Sequence, residues 1–260
     1  ATSKLVKAWE SKNAKNAAKA GGISLMALSL AACGGSSTTT TTTATTTDTA
    51  TTTPVVVQGL TFALSSAADI LDPNSATAAT TTTAGDDTFR AASTGDFTSA
   101  DIINGGDGDD TLTAEVTEGA TGSDVTIKPM LTSVENVKVT MTAVANDTTT
   151  TLNFADSTGI TSVEVVNAND ADVTVSGITT ATAVTISNTA GATLDSVNTI
   201  TLTGLSTTTD GGQDAYTVNL TDTDAADLVI AGVEAITINA GGKAVDIADL
   251  SANALESLTI

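Results

Sequence analysis

The chain has 260 residues and a formal net charge of −21, from nine Lys plus Arg against thirty Asp plus Glu. It contains no His and a single Cys. That excludes an internal disulfide and a Cys/His zinc site, and it removes the commonest general base, so the many Ser and Thr have no imidazole to activate them. An enzyme is not expected, and a surface this acidic repels nucleic acid.

Residues 1–33 open the chain with five of its nine cations, Lys4, Lys7, Lys12, Lys15 and Lys19. The apolar run Ile23 to Ala32 follows and closes on Leu30-Ala31-Ala32-Cys33-Gly34. A basic start, about ten apolar residues and a small-residue exit form an export-signal pattern, too short to span a bilayer, which takes about twenty. The closing run resembles the lipobox of bacterial lipoproteins. That resemblance implies lipidation of Cys33 and attachment of the N-terminal segment to the outer membrane or its lipopolysaccharide. The competing reading is an uncut amphipathic helix, consistent with a chain that still carries residues 1–32. Residues 34–54 are Gly34-Gly35-Ser36-Ser37 and then a tract of Thr, Ala and Asp closing on Pro54, a composition that cannot build a core and reads as an extended spacer open to glycosylation.

Residues 55–113 are expected to hold entry strands and acidic turns. Val55 to Phe62 is strand-like, and residues 65–81 read as loop. The acids then cluster. Gly105-Gly106-Asp107-Gly108-Asp109-Asp110-Thr111-Leu112-Thr113 fits the whole nonapeptide Gly-Gly-x-Gly-x-Asp-x-apolar-x of calcium-binding β-helices. Gly85-Asp86-Asp87-Thr88-Phe89 and Ala100-Asp101-Ile102-Ile103 repeat parts of it, the second without glycines. In such a turn glycines allow left-handed geometry, carbonyl and carboxylate oxygens surround a hard cation, and the apolar residue enters the core. An ordinary acidic turn is the plainer alternative, but it leaves the crowding of Asp107, Asp109 and Asp110 unneutralised. Ca²⁺ is therefore the expected cofactor.

Residues 114–260 consist of short runs in which Val, Ile or Leu alternate with Thr, broken by Gly, Asn and Asp. Val134-Glu135-Asn-Val-Lys-Val139 recurs as Val163-Glu164-Val-Val166, Val197-Asn-Thr-Ile-Thr-Leu202, Val233-Glu234-Ala-Ile-Thr-Ile238 and Leu255-Glu256-Ser-Leu-Thr-Ile260. Thr223 to Leu228 and Ile247 to Leu255 read as short helical turns. A parallel β-solenoid and an antiparallel β-sandwich both accommodate such runs. The repeated phrase and the scarcity of bulky side chains favour the solenoid, whose bore is narrow. The sequence stops inside an apolar triplet with no polar cap, so the solenoid is expected to continue past residue 260.

Over residues 82–260 the acidic turns and the Thr-rich rungs together resemble the S-layer and RTX-type surface proteins of Gram-negative bacteria. The resemblance implies an all-β fold, a right-handed parallel β-solenoid with calcium-binding turns, and a non-enzymatic, extracellular role at the bacterial cell surface. Copies would assemble as homo-oligomers or a surface lattice. It further implies that Asp110 is the principal ligand and Asp87 and Asp101 weaker counterparts, with Asp86, Asp107 and Asp109 nearby and carbonyls from Gly105, Gly106 and Gly108, for one to three ions. A surface adhesin or glycan-binding module on the same scaffold is the alternative function.

Overall fold

The structure is a computed structural model that describes residues 57–117, 123–142, 148–166, 172–187, 199–204, 214–242 and 245–260. Cys33 and the readings placed on residues 1–54 lie outside them. Residues 54–260 form one compact unit.

In chain order the described strands are β1 (Thr61–Ala63), β2 (Ile70–Leu71), β3 (Thr88–Ala91), β4 (Ile102–Asn104), β5 (Thr111–Thr117), β6 (Val125–Ile127), β7 (Met130–Thr132), β8 (Asn136–Thr142) and β9 (Thr149–Asn153). They continue as β10 (Ser162–Val166), β11 (Asp172–Ser176), β12 (Ala183–Ser187), β13 (Thr199–Thr203), β14 (Ala215–Thr221), β15 (Asp224–Ile230), β16 (Ala235–Gly241), β17 (Asp246–Ser251) and β18 (Ser257–Thr259). The helical content of the described residues is one 3₁₀ turn, Ala78–Thr80.

All named strand pairs are parallel, and strands that follow one another in sequence go to different sheets. One sheet of nine runs β1-β3-β5-β8-β10-β12-β14-β16-β18; one of six runs β17-β15-β13-β11-β9-β6; one of three runs β2-β4-β7. Parallel neighbours cannot be joined by a hairpin, so the chain must travel round the body before pairing with itself. Here it crosses another sheet on each circuit instead of using a helix, which makes the body a parallel β-solenoid. Circuits differ in length, from Ala215 paired with Ala235 to Val184 paired with Val218.

Alternation produces the core. In β10, β11 and β13 every second residue is buried and the residues between, Val166 apart, are half-exposed Thr, Ser, Asp or Glu. Parallel register then stacks like on like. Phe62, Phe89, Leu112, Val137, Val163, Val184, Val218 and Ile238 form one inward column, and Ile127, Leu152, Val175, Leu202 and Ile230 another facing it from the six-stranded sheet. β-branched side chains suit this arrangement because their fixed χ1 packs well on a pleated surface. Phe62 and Phe89 stack at 5.5 Å between ring centroids, on the first two circuits, where the nine-stranded and three-stranded sheets are present and the six-stranded sheet has not begun.

Three features differ from the sequence expectation. Thr223 to Leu228 and Ile247 to Leu255 contribute strands β15 and β17 in place of helical turns, because β13, β15 and β17 pair in register and satisfy their backbone groups laterally. The loop 65–81 contains β2, short enough to be invisible as a pattern. The repeated phrase also mixes two phases and two sheets. Val163 pairs with Val137, which puts Glu164 opposite Lys138 rather than opposite Glu135, and Thr199 to Thr203 lies in the six-stranded sheet while the other copies lie in the nine-stranded one.

Candidate metal centre

The acidic turns sit at the corners where the chain enters a sheet. Asp87, Asp110 and Glu135 each immediately precede a strand of the nine-stranded sheet, and each carboxylate accepts a backbone N–H from the preceding circuit. Asp87 Oδ1 accepts from Leu60 N at 2.6 Å, Asp110 Oδ1 from Asp87 N at 2.6 Å, and Glu135 Oε2 from Asp110 N at 2.8 Å. Glu234, before β16, does the same for Asp214 N at 2.9 Å. An N–H at a corner has left one ladder without joining the next, and a carboxylate that reaches it makes a charge-assisted bond. On the three-stranded sheet Asp101 Oδ1 accepts from Asp69 N at 3.0 Å. Glu135 was not among the expected site residues; its signal was the acid directly before an alternating run, shared with Asp87 and Asp110.

The three buried corner aspartates differ in what remains of their bonding capacity. Asp87 also accepts from Thr83 N at 2.7 Å through Oδ2 and from the Thr83 hydroxyl at 2.8 Å through Oδ1. Asp101 accepts from Thr98 N at 2.7 Å through Oδ2. Both oxygens of each are engaged. Asp110 is fully buried and uses one oxygen; its Oδ2 has no hydrogen-bond partner. Burial pushes the Asp110 carboxyl up to about 6 against the opposing Asp87 N–H bond, and the charges of Asp87, Glu135 and Asp86 push the same way as burial. Asp101 is also raised by burial, with the Thr98 and Asp69 N–H bonds opposing.

The glycines shape the space beside that oxygen. A Cβ on Gly105 would collide with both the Ser133 carbonyl oxygen and Asp110 Oδ2, so two acceptor oxygens converge where only a hydrogen is tolerated. Ser133 holds a left-handed backbone, φ 49°, in doing so. Gly106 and Gly108 have φ of 101° and 131°, conformations that side chains avoid.

The other expected ligands stand apart. Asp86, Asp107 and Asp109 are exposed. Asp109 Oδ1 accepts from the Asn136 side-chain amide at 2.6 Å, and Asp86 Oδ1 accepts from Asp109 N at 3.0 Å. Asp107 borders an open groove with Thr82, Thr83 and Asn104. The structure thus brings Asp86, Asp87, Asp109, Asp110 and Glu135 into one corner stack, leaves Asp107 on its rim, and puts Asp101 on a different sheet. Among the described residues no three acidic, His or Cys side chains converge on a common point as a ready-made cage. Two oxygens remain to offer a cation, the free Asp110 Oδ2 and the Ser133 carbonyl, and because Gly105 fills the gap between them an ion would have to displace that glycine or reach them from its far side. Ca²⁺ takes six to eight oxygens, and its shell commonly includes carbonyls and water, so these two would form part of the coordination.

Comparison of the chain with protein-family models, with curated proteins and with solved structures gives no match in any of the three.

Proposed function

We propose that the chain is a non-enzymatic structural component of a bacterial cell-surface layer or filament, stabilised by one Ca²⁺ at the Asp110 turn. The observation that carries the calcium part is the buried Asp110 Oδ2 without a partner beside the Ser133 carbonyl. An ionised carboxylate left this way is costly, and a hard cation or a proton is what would relieve it. The surface role draws on the elongating scaffold, on a net charge that favours cations, and on the resemblance to S-layer and RTX-type proteins. Asp87 and Asp101 serve as acceptors for backbone N–H groups, which reduces the one to three ions expected from sequence to a single ion.

The test is thermal unfolding and light scattering of the full chain across a Ca²⁺ titration, with Asp110→Ala in parallel. The proposal expects the unfolding temperature and the assembly of the wild type to rise with Ca²⁺ and the variant to lose the thermal increment. Indistinguishable wild-type curves with and without Ca²⁺ defeat it.

A second reading, a surface adhesin or glycan-binding module, draws on one groove. On the outer face of β3, β5 and β8, Arg90, Glu115 and Lys138 border a depression floored by Thr113 and Ala114, a mixture of charges and hydroxyls able to engage an acidic sugar. Binding of an acidic oligosaccharide that Arg90→Ala abolishes, by a chain that stays monomeric in Ca²⁺, favours this reading over the first.

A further inference from the structure

The outer surface of the three-stranded sheet differs from the rest of the solenoid. Its inward residues, Leu71, Ile103 and Leu131, are buried as elsewhere. Its outward residues include Ile70, Ile102 and Met130, which are 60%, 41% and 45% exposed. Parallel register places them side by side: Ile70 opposite Ile102, and Ile102 opposite Met130. Outward apolar residues on the other sheets, such as Val166 and Val229, are single and half-buried, with Thr, Ser or charged neighbours in register. A solenoid that lines its outside with Thr has here put three large apolar side chains in a row.

The stripe is only lightly guarded: Pro129 directly precedes Met130, and Asp72, two residues past Ile70, has its carboxylate engaged by Asn74 N at 2.7 Å and by the Asn104 side-chain amide at 3.4 Å. Natural sheets protect an apolar edge with charge or proline, and β2 is the edge strand of this sheet. The residue before Ile102 is Asp101, but its carboxylate is buried on Asp69 N and Thr98 N. The residue before Ile70 is Asp69, whose carboxylate turns to Ser65 N at 2.7 Å. Beyond Met130 the nearest formal charges, Lys128 and Asp156, neutralise each other at 2.8 Å.

We propose that this stripe is a self-association surface, at which the outer face of β2, β4 and β7 packs against the same face of a second copy about a two-fold axis near Ile102. Charge and size select that occupant. Copies of a chain carrying −21 repel one another, so a contact between them needs a surface where carboxylates are absent or engaged, as they are here. The stripe exposes roughly 300 Å² of side chain, the scale of a functional patch, against the roughly 800 Å² per partner of a stand-alone complex. It suits a weak contact repeated between identical copies better than a high-affinity heterologous partner. The inference deepens the surface-layer reading by naming one contact that such a layer uses.

The experiment replaces the single Cys33 by Ser and introduces Ile102→Cys in the full chain, with Thr174→Cys on the six-stranded sheet as the control. Mild oxidation at high protein concentration is expected to yield a covalent dimer through position 102 and monomer through position 174. Sedimentation equilibrium of Ile102→Thr, which installs the residue the other outward rows use, is expected to show association weakened at least tenfold with an unchanged unfolding temperature. No excess of crosslinking at 102 over 174, or undiminished association of Ile102→Thr, overturns the inference. The two proposals separate cleanly. A layer that forms normally from Ile102→Thr sinks the stripe and keeps the layer, whereas a dimer through position 102 that never grows further keeps the stripe and sinks the layer.

Discussion

Asp87 and Asp110 occupy equivalent corners one circuit apart, both buried, both directly before a strand, yet they differ in how fully their oxygens are hydrogen-bonded. Asp87 spends both oxygens on Leu60 N and Thr83. Asp110 spends one oxygen on Asp87 N and leaves the other bare beside the Ser133 carbonyl. The difference is set by what lies next to each corner. Thr83 folds back onto Asp87, whereas the Gly105-Gly106 segment brings no hydroxyl to Asp110. The same residue type at the same station is a finished hydrogen-bond acceptor in one circuit and an unfinished one in the next.

The largest expected effect breaks the finished corner. Asp87→Ala strands the part-buried N–H groups of Leu60 and Thr83 at once, and with 1–3 kcal/mol as the cost of each fully buried unsatisfied group the loss should reach at most about 2–6 kcal/mol by urea unfolding, the same with and without Ca²⁺. Asp87→Asn should recover part of it, since the amide oxygen still accepts one bond.

A smaller effect tests the unfinished corner through pH. The folded-state pKa of Asp110 lies near 6 and the unfolded value near 3.8, so the folded chain holds this proton more tightly. In chelator, stability contributed by the neutral carboxyl is fully present below about pH 3.8 and is lost as pH rises through about 6, by up to about 3 kcal/mol for a shift of this size. Asp110→Asn should remove this component of the pH profile, and Ca²⁺ should flatten the wild-type profile above pH 6. A wild-type profile over this window identical to that of Asp110→Asn would refute the assignment.

Gly105→Ala sharpens the same point sterically. Its methyl would meet the Ser133 carbonyl and Asp110 Oδ2, so it should destabilise by about 1–3 kcal/mol, the usual cost of overpacking, and abolish any calcium response. At the bottom of the scale stands Asp107→Ala. Asp107 is exposed, and its replacement should leave both the unfolding temperature and the calcium response unchanged.

The architecture was legible because a period of two with β-branched residues leaves few alternatives, and because Phe89 and Leu112 follow Asp87 and Asp110 at the same interval. Register was less so. Val163-Glu164 imitates Val134-Glu135 in letters, but pairing to Val137 is fixed by the length of the circuit, which no local phrase encodes. The strands β15 and β17 were hidden because an acidic, Ala-rich string such as Asp-Ala-Ala-Asp-Leu reads as helix until a neighbouring strand satisfies its backbone. At the site, sequence proximity grouped Asp107, Asp109 and Asp110, while coil stacking groups Asp110 with Asp87 and Glu135, residues about one circuit away in either direction. Which acid keeps a free oxygen depends on those through-space neighbours, so the nonapeptide could point to Asp110 but could not distinguish its chemistry from that of Asp87 or Asp101.

The most direct measurement is the unfolding temperature of the wild type and of Asp110→Asn at pH 7, each in chelator and in excess Ca²⁺. In Asp110→Asn the amide oxygen can still accept from Asp87 N, and the NH₂ can donate to the Ser133 carbonyl without a buried charge. This variant is expected to melt above the wild type in chelator and not to respond to Ca²⁺, while the wild type rises on adding the ion. An equal calcium increment in both proteins, or none in the wild type, would contradict the calcium assignment.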